Sequence, residues 1–147
     1  MNNVIGRAIR ILLVEDNLGD IRLTKEVFKT SKIFNEIDTA TDGEEAINYL
    51  MKKGKYEKYK TPDLILLDLN LPKKDGREVL AEVKSNLNLK KIPIVILTIS
   101  KSEEDIIKSY NLYANCYITK PIDLNQFNEV IKSIEDFWFT IVKLPSD

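Results

Sequence analysis

Apolar residues occur along this chain in two alternating textures. Short, nearly unbroken runs stand at Ile9 to Val14, at Leu64-Ile65-Leu66-Leu67, at Ile92 to Leu97 and, more briefly, at Cys116 to Ile118. Between them lie longer stretches in which apolar residues recur every three or four positions. Runs rich in Ile, Val and Leu suit strands buried on both faces, and a three-four recurrence suits an amphipathic helix. The pattern predicts strands over 8–14, 36–40, 63–69, from Pro93 through Leu97, and over 115–118. Pro93 fits the first position of its strand, where a missing ladder donor is tolerated.

Helices are expected over 18–31, from Asp42 to about Lys53, over 77–86, over 101–112, and from 124 onward. In the first, Leu18, Ile21, Val27 and Phe28 fall on or near one face. In the last, Leu124, Phe127, Val130, Ile131, Ile134, Phe137 and Ile141 form one stripe. Pairs spaced for N-terminal capping stand at Asp42/Glu45, Ser100/Glu103 and Asp123/Gln126, and Gly54 suits the residue just past the second helix. Strand and helix alternate five times, without repeat, low-complexity segment or long linker. That order predicts one α/β domain over 1–147: a parallel sheet with helices on both faces.

Each apolar run ends in a chemically useful residue. The first runs into Glu15-Asp16, the second into Asp68, the third into Thr98, and the fourth into Thr119-Lys120-Pro121. In an open parallel sheet the carboxyl ends of the strands share one rim, and ligands bind there near the point where strand order reverses. Taken singly, these residues have ordinary uses. Asp68 can end a strand in a turn, Asp16 or Asn17 can cap a helix, Thr98 is a good strand residue, and Lys120 a solvated lysine. Taken together they are costly. Carboxylates ~4 Å apart repel by ~4 kcal/mol per pair at an effective dielectric near 20. A counter-ion is therefore expected, and Mg2+ is the hard, oxygen-seeking cation that combines carboxylates with phosphate oxygens. Lys120 adds a compact positive charge at the same rim, beside a proline that is a candidate for a cis bond.

Composition narrows the chemistry. The chain has 147 residues, 44% hydrophobic and 31% charged, in the range of a soluble globular domain. A net charge of −1 and the lack of a basic stripe argue against nucleic acid. There is no histidine, so neither a His-based zinc site nor an internal phosphohistidine is available. The single cysteine, Cys116, excludes an internal disulfide framework and points to the cytoplasm; with no activating neighbour it reads as a small strand residue. No apolar stretch approaches the ~20 residues of a membrane span, and the first seven residues do not resemble a secretion signal.

In order and spacing, Glu15-Asp16, Asp68, Thr98 and Lys120-Pro121 resemble the receiver domain of two-component response regulators. The resemblance covers about 8–140. It implies a flavodoxin-like (βα)5 fold with strand order 2-1-3-4-5, and a protein that is not an enzyme beyond its own phosphotransfer and autodephosphorylation. It further implies that Asp68 accepts a phosphoryl group from a sensor histidine kinase. Asp16, Asp68, Glu15 and the main-chain carbonyl of Asn70 would hold Mg2+. Lys120 would meet the phosphoryl oxygens, Thr98 would turn its hydroxyl onto them, and Tyr117 would move inward on activation.

About ten residues follow the expected last helix, so a stand-alone receiver is expected. Its output would pass through the surface of the 101–112 helix, the fifth strand and the last helix. The run Glu15-Asp16-Asn17-Leu18-Gly19-Asp20-Ile21-Arg22-Leu23, a long loop at 54–62 and the aromatic tail resemble the receivers associated with phytochrome-type kinases. Phe137, Trp138 and Phe139 either finish the core or form a homodimer interface, the latter favoured because Trp138 and Phe139 sit off or at the edge of the helical stripe. Two rivals fit less well. An aspartyl phosphatase would place an Asp-x-Asp pair after the first strand, and a phosphorylation-independent receiver would lack one of the rim residues. No glycine-rich nucleotide motif is present among five glycines.

Overall fold

Two helical layers enclose one parallel sheet in the computed structural model of the chain, which describes residues 8–31, 34–98 and 116–133. Along the chain run β1 (Ile9–Val14), α1 (Leu18–Lys29), β2 (Asn35–Ala40), α2 (Gly43–Leu50), a short 3-10 turn (Gly54–Tyr56), β3 (Leu64–Asp68), α3 (Gly76–Ser85), β4 (Ile94–Thr98), β5 (Cys116–Thr119) and a C-terminal helix (Leu124–Ser133). The strand order is β2-β1-β3-β4-β5 and every pairing is parallel. This is the flavodoxin-like order expected from the sequence. Strand order reverses between β1 and β3.

The central strands are apolar throughout because both faces are covered. Leu12, Val14, Ile65, Leu67 and Ile96 face one core, shared with Ala46 and Leu50 of α2 and Val79, Leu80 and Val83 of α3. Ile11, Leu13, Leu64, Leu66, Val95 and Leu97 face the other, with Ile21 and Phe28 of α1 and Phe127 of the C-terminal helix. Phe28 and Phe127 meet edge to face, ring centroids 4.3 Å apart at 85°, a favoured aromatic geometry that ties the first helix to the last. Among the described residues no helix is long and apolar enough to cross a membrane.

Local chemistry departs from expectation in three places. Leu18 does not join the buried face of α1; it is 75% exposed, and the stripe is carried by Ile21, Thr24 and Phe28. Leu18 opens the helix beyond the strand ends, where no sheet residue covers it. The second helix ends at Leu50 rather than near Lys53. Lys52, at φ 58°, takes the left-handed position. The Lys52 N–H donates to the Tyr49 carbonyl (3.2 Å) and the Lys53 N–H to the Asn48 carbonyl (2.9 Å), the paired bonds that close a helix C-terminus. Gly54 instead opens the 3-10 turn. At the start of α2, Asp42 Oδ1 accepts from the Glu45 N–H (2.7 Å) as expected, but the Glu45 carboxylate accepts from Thr41 N–H (2.7 Å) and the Tyr56 hydroxyl (2.6 Å). Asp123 does cap the C-terminal helix, through the Gln126 N–H at 2.8 Å. The predicted helix over 101–112, the Ser100/Glu103 pair and the tail residues Phe137, Trp138 and Phe139 lie outside the described residues.

Gly76 matters for the rim. It opens α3 against the end of β3, and its N–H donates to the Leu69 carbonyl at 2.9 Å. A Cβ there would lie 2.4 Å from the Asp68 carbonyl oxygen and 2.6 Å from Leu69 Cα, both backbone atoms that cannot swing aside. We expect Gly76→Ala to lower unfolding free energy by about 2–3 kcal/mol through overpacking, measured by urea denaturation.

Candidate functional site

Register sets the positions of the rim residues. Val14 pairs with Leu67 across β1 and β3, so Glu15 and Asp68 sit one residue further along neighbouring strands. Asp68 follows Leu64 and Leu66 on the face toward α1, and it pairs with Leu97 of β4. Thr98 ends β4 opposite Thr119 of β5, which delivers Lys120 immediately afterwards. The Lys120–Pro121 peptide is cis. At the end of β1, Asn17 caps α1 by accepting from the Asp20 N–H at 2.9 Å. That role falls to Asn17 and leaves the neighbouring Asp16 carboxylate free of it.

The carboxylate oxygens of Glu15, Asp16 and Asp68 lie within 4.8 Å of one another. Glu15 and Asp68 are buried and Asp16 is exposed. Lys120 Nζ stands among the carboxylates, 2.8 Å from Glu15 Oε1, 3.2 Å from Asp68 Oδ2 and 3.2 Å from Asp20 Oδ2. Burial works against the charge on Lys120, but Glu15, Asp68 and Asp20 outweigh it and hold the ammonium above its ordinary pKa. Burial also pushes the Glu15 carboxyl up to about 7. Lys120 pulls it down, while the adjacent Asp68 adds to the rise. One ammonium shared between two buried carboxylates cannot satisfy both, and that shortfall is the physical case for a second cation.

The donor set fits Mg2+. Three carboxylate oxygens lie close together, hard ligands of the kind Mg2+ takes while keeping water on its remaining positions. Asn70, exposed two residues past Asp68, donates its N–H to Asp68 Oδ1 at 3.3 Å. Tyr117 is partly buried against the core on the α2–α3 side. Thus Glu15, Asp16, Asp68 and Lys120 meet in one cluster, with Asn70 at its edge and the Thr98 backbone at the same end of the sheet. The member of this cluster that sequence reasoning missed is Asp20, which pairs with Lys120. Its only signal was its place in the Asp20-Ile21-Arg22-Leu23 run, which says nothing about a lysine a hundred residues away.

Residues 11–132 match the family of response regulator receiver domains. Response regulator Rcp1 of Synechocystis is 53% identical over 136 residues, 92% of each chain. The crystal structure of a Mn2+-bound response regulator Rcp1 superposes with a TM-score of 0.73 at 52% identity, covering 94% of this chain and 99% of that one. The phosphorylated cyanobacterial phytochrome response regulator RcpA gives 0.76 at 53% identity, over 95% and 100%. The bacteriophytochrome response regulator AtBRR gives 0.83 at 42% identity, over 90% and 96%.

Removing the shared cation should expose the cost of the buried carboxylates. In metal-free buffer we expect Lys120→Met to lose about 3 kcal/mol of stability, the scale for leaving a buried charge unpaired. Added Mg2+ should recover more stability in this variant than in the parent, as read by denaturant titrations with and without the metal.

Proposed function

The chain belongs to the response regulator receiver domain family, whose members work in phosphorelay signalling, and from that premise we propose that Asp68 is its phosphoacceptor. The observation that carries this reading is the buried Asp68 carboxylate at the switch point, 3.2 Å from Lys120 and within 4.8 Å of Glu15 and Asp16. An Asp68 carboxylate oxygen attacks the phosphorus of a phosphohistidine. The O–P bond forms, the P–N bond breaks, and the imidazole leaves with the electron pair and takes up a proton. Little covalent work falls to the protein, so position and charge decide the rate.

Each rim residue has a part in that work. Glu15, Asp16, Asp68 and the Asn70 carbonyl are the proposed Mg2+ ligands. The bound metal supplies two positive charges that neutralise phosphoryl oxygens. Lys120 keeps its charge in spite of burial and meets the oxygens that the metal does not. Thr98 at the end of β4 donates its hydroxyl to the acyl phosphate, and Tyr117 next to Ile118 repacks inward as Thr98 moves. Position and charge are the protein's contribution, so the covalent step takes place on the Asp68 carboxylate itself with no separate nucleophile.

We read residues 8–140 as one receiver core in the cytoplasm, with a sensor histidine kinase of the phytochrome type as donor. The similarity to Rcp1, RcpA and AtBRR supports that partner. Output then runs through β5, the C-terminal helix and the segment 101–112, with Phe137, Trp138 and Phe139 completing a homodimer surface.

Two measurements test this. With acetyl phosphate and Mg2+, the parent should gain one acid-labile phosphoryl group by intact-protein mass spectrometry and Asp68→Asn none; equal labelling would refute the site. In sedimentation velocity, Trp138→Ala should shift the chain toward monomer relative to the parent. Identical monomeric profiles for both would remove the tail from the interface.

A further inference from the structure

Asp20 is held by an unusual division of labour at the start of α1. An acidic residue at the third helical position commonly reaches back to the backbone N–H of the cap residue. Helix α3 does this: the Asp75 N–H donates to Glu78 Oε1 at 3.3 Å. In α1 the equivalent N–H, that of Asn17, donates instead to Glu15 Oε2 at 3.2 Å. Asp20 occupies that third position, its backbone is pinned by the Asn17 side chain, and its carboxylate accepts from Lys120 Nζ at 3.2 Å.

The three carboxylates around Lys120 are not equivalent. Side-chain exposure is 2% for Glu15 and 6% for Asp68 but 38% for Asp20, with Lys120 at 15%. Glu15 and Asp68 therefore hold the ammonium from inside the rim, and Asp20 holds it from the solvent side. The crevice between Asp20 and Lys120 is walled by Leu23, Thr24, Leu97 and Ile122 and measures about 10 Å3.

We propose that Asp20 is a positioning residue that shares the Lys120 ammonium from the solvent side, favouring cation binding at the rim and opposing occupancy by a phosphoryl group. This rests on the assignment of Asp68 as phosphoacceptor. A group added to the Asp68 carboxylate forms beside Lys120, whose Nζ is 3.2 Å from Asp68 Oδ2. It then enters the region that Asp20 shares with Lys120. There Asp20 occupies one of the three ammonium donors and repels the incoming oxygens. Toward a cation its effect has the opposite sign. Asp20 adds negative charge nearby and takes a share of the ammonium that would otherwise go wholly to Glu15 and Asp68, the carboxylates of the proposed metal site.

Opposite signs give a test that general damage to the fold cannot imitate. Using the full chain, Mg2+ binding is measured by calorimetry. Beryllofluoride, a tetrahedral stand-in for the phosphoryl group, is titrated at saturating Mg2+ and followed by fluorine resonance. For Asp20→Asn, which keeps size and removes charge, the Mg2+ dissociation constant should rise about two- to fivefold. The beryllofluoride constant should fall by a similar factor, the scale of a half-exposed ion pair. Asp20→Glu, which restores the charge, should return both toward the parent values. Constants that move in the same direction, or that do not move, overturn the proposal. A parent chain that binds neither Mg2+ nor beryllofluoride overturns the phosphoacceptor assignment and this proposal with it.

Discussion

One ammonium group set among buried carboxylates is the interaction on which the rest of this structure turns. Glu15 and Asp68 are almost wholly withdrawn from water at the carboxyl ends of neighbouring strands. Two such charges are tolerated inside a protein only with compensation. Lys120 supplies part of it, across a cis Lys–Pro junction that follows β5. Burial holds the Glu15 carboxyl up, to about 7, in spite of Lys120, and because one positive charge cannot neutralise both groups the rim suits a divalent cation. Metal binding answers that electrostatic deficit; a phosphoryl group, which brings further negative charge, deepens it and therefore depends on the metal and on Lys120.

That deficit is sustained by the packing below it. The two apolar cores fix β1 and β3 in a register that leaves Glu15 and Asp68 side by side. Gly76 lets α3 start directly against the Asp68 backbone, and Asn17 closes α1 in a way that leaves Asp16 free of capping and Asp20 facing Lys120. In the proposed mechanism an added phosphoryl group redistributes the lysine and the metal and recruits Thr98. A two-state switch from 1:99 to 99:1 would require ~5.5 kcal/mol of differential stabilisation. A rim built from charge-assisted contacts is the part of the molecule where differences of that size can arise.

The architecture was legible in the chain because continuous apolar strands and three-four stripes have few alternative uses. Leu64 to Leu67 had to lie inside, and so it does. The carboxylate cluster was legible for a related reason: three acids at strand ends are too costly without a shared purpose. The less legible features depend on competition between near-equal local options. Gly54 was the natural C′ residue and is itself left-handed at φ 59°, yet the helix closes two residues earlier at Lys52, because Ala46, Tyr49 and Leu50 are buried in the core while exposed Met51 and Lys52 are not. Asp42 with Glu45 spelled a capping box, yet Glu45 turns to Thr41 and to Tyr56, a residue from the following loop.

By itself, then, the sequence determined the fold class, the strand order through its resemblance to a family, and the identity of the residues on the rim. Those follow from periodicity and from residue type at strand ends, which are properties of short stretches. Only the tertiary structure decided how the charges are shared: that Asn17 rather than Asp16 caps α1, that the Asn17 N–H serves Glu15, and that Asp20 closes on Lys120. The reason is separation. Asp20 and Lys120 stand a hundred residues apart. Which carboxylate an ammonium chooses depends on distances of a few ångströms and on relative burial, and neither quantity exists until the strands are aligned.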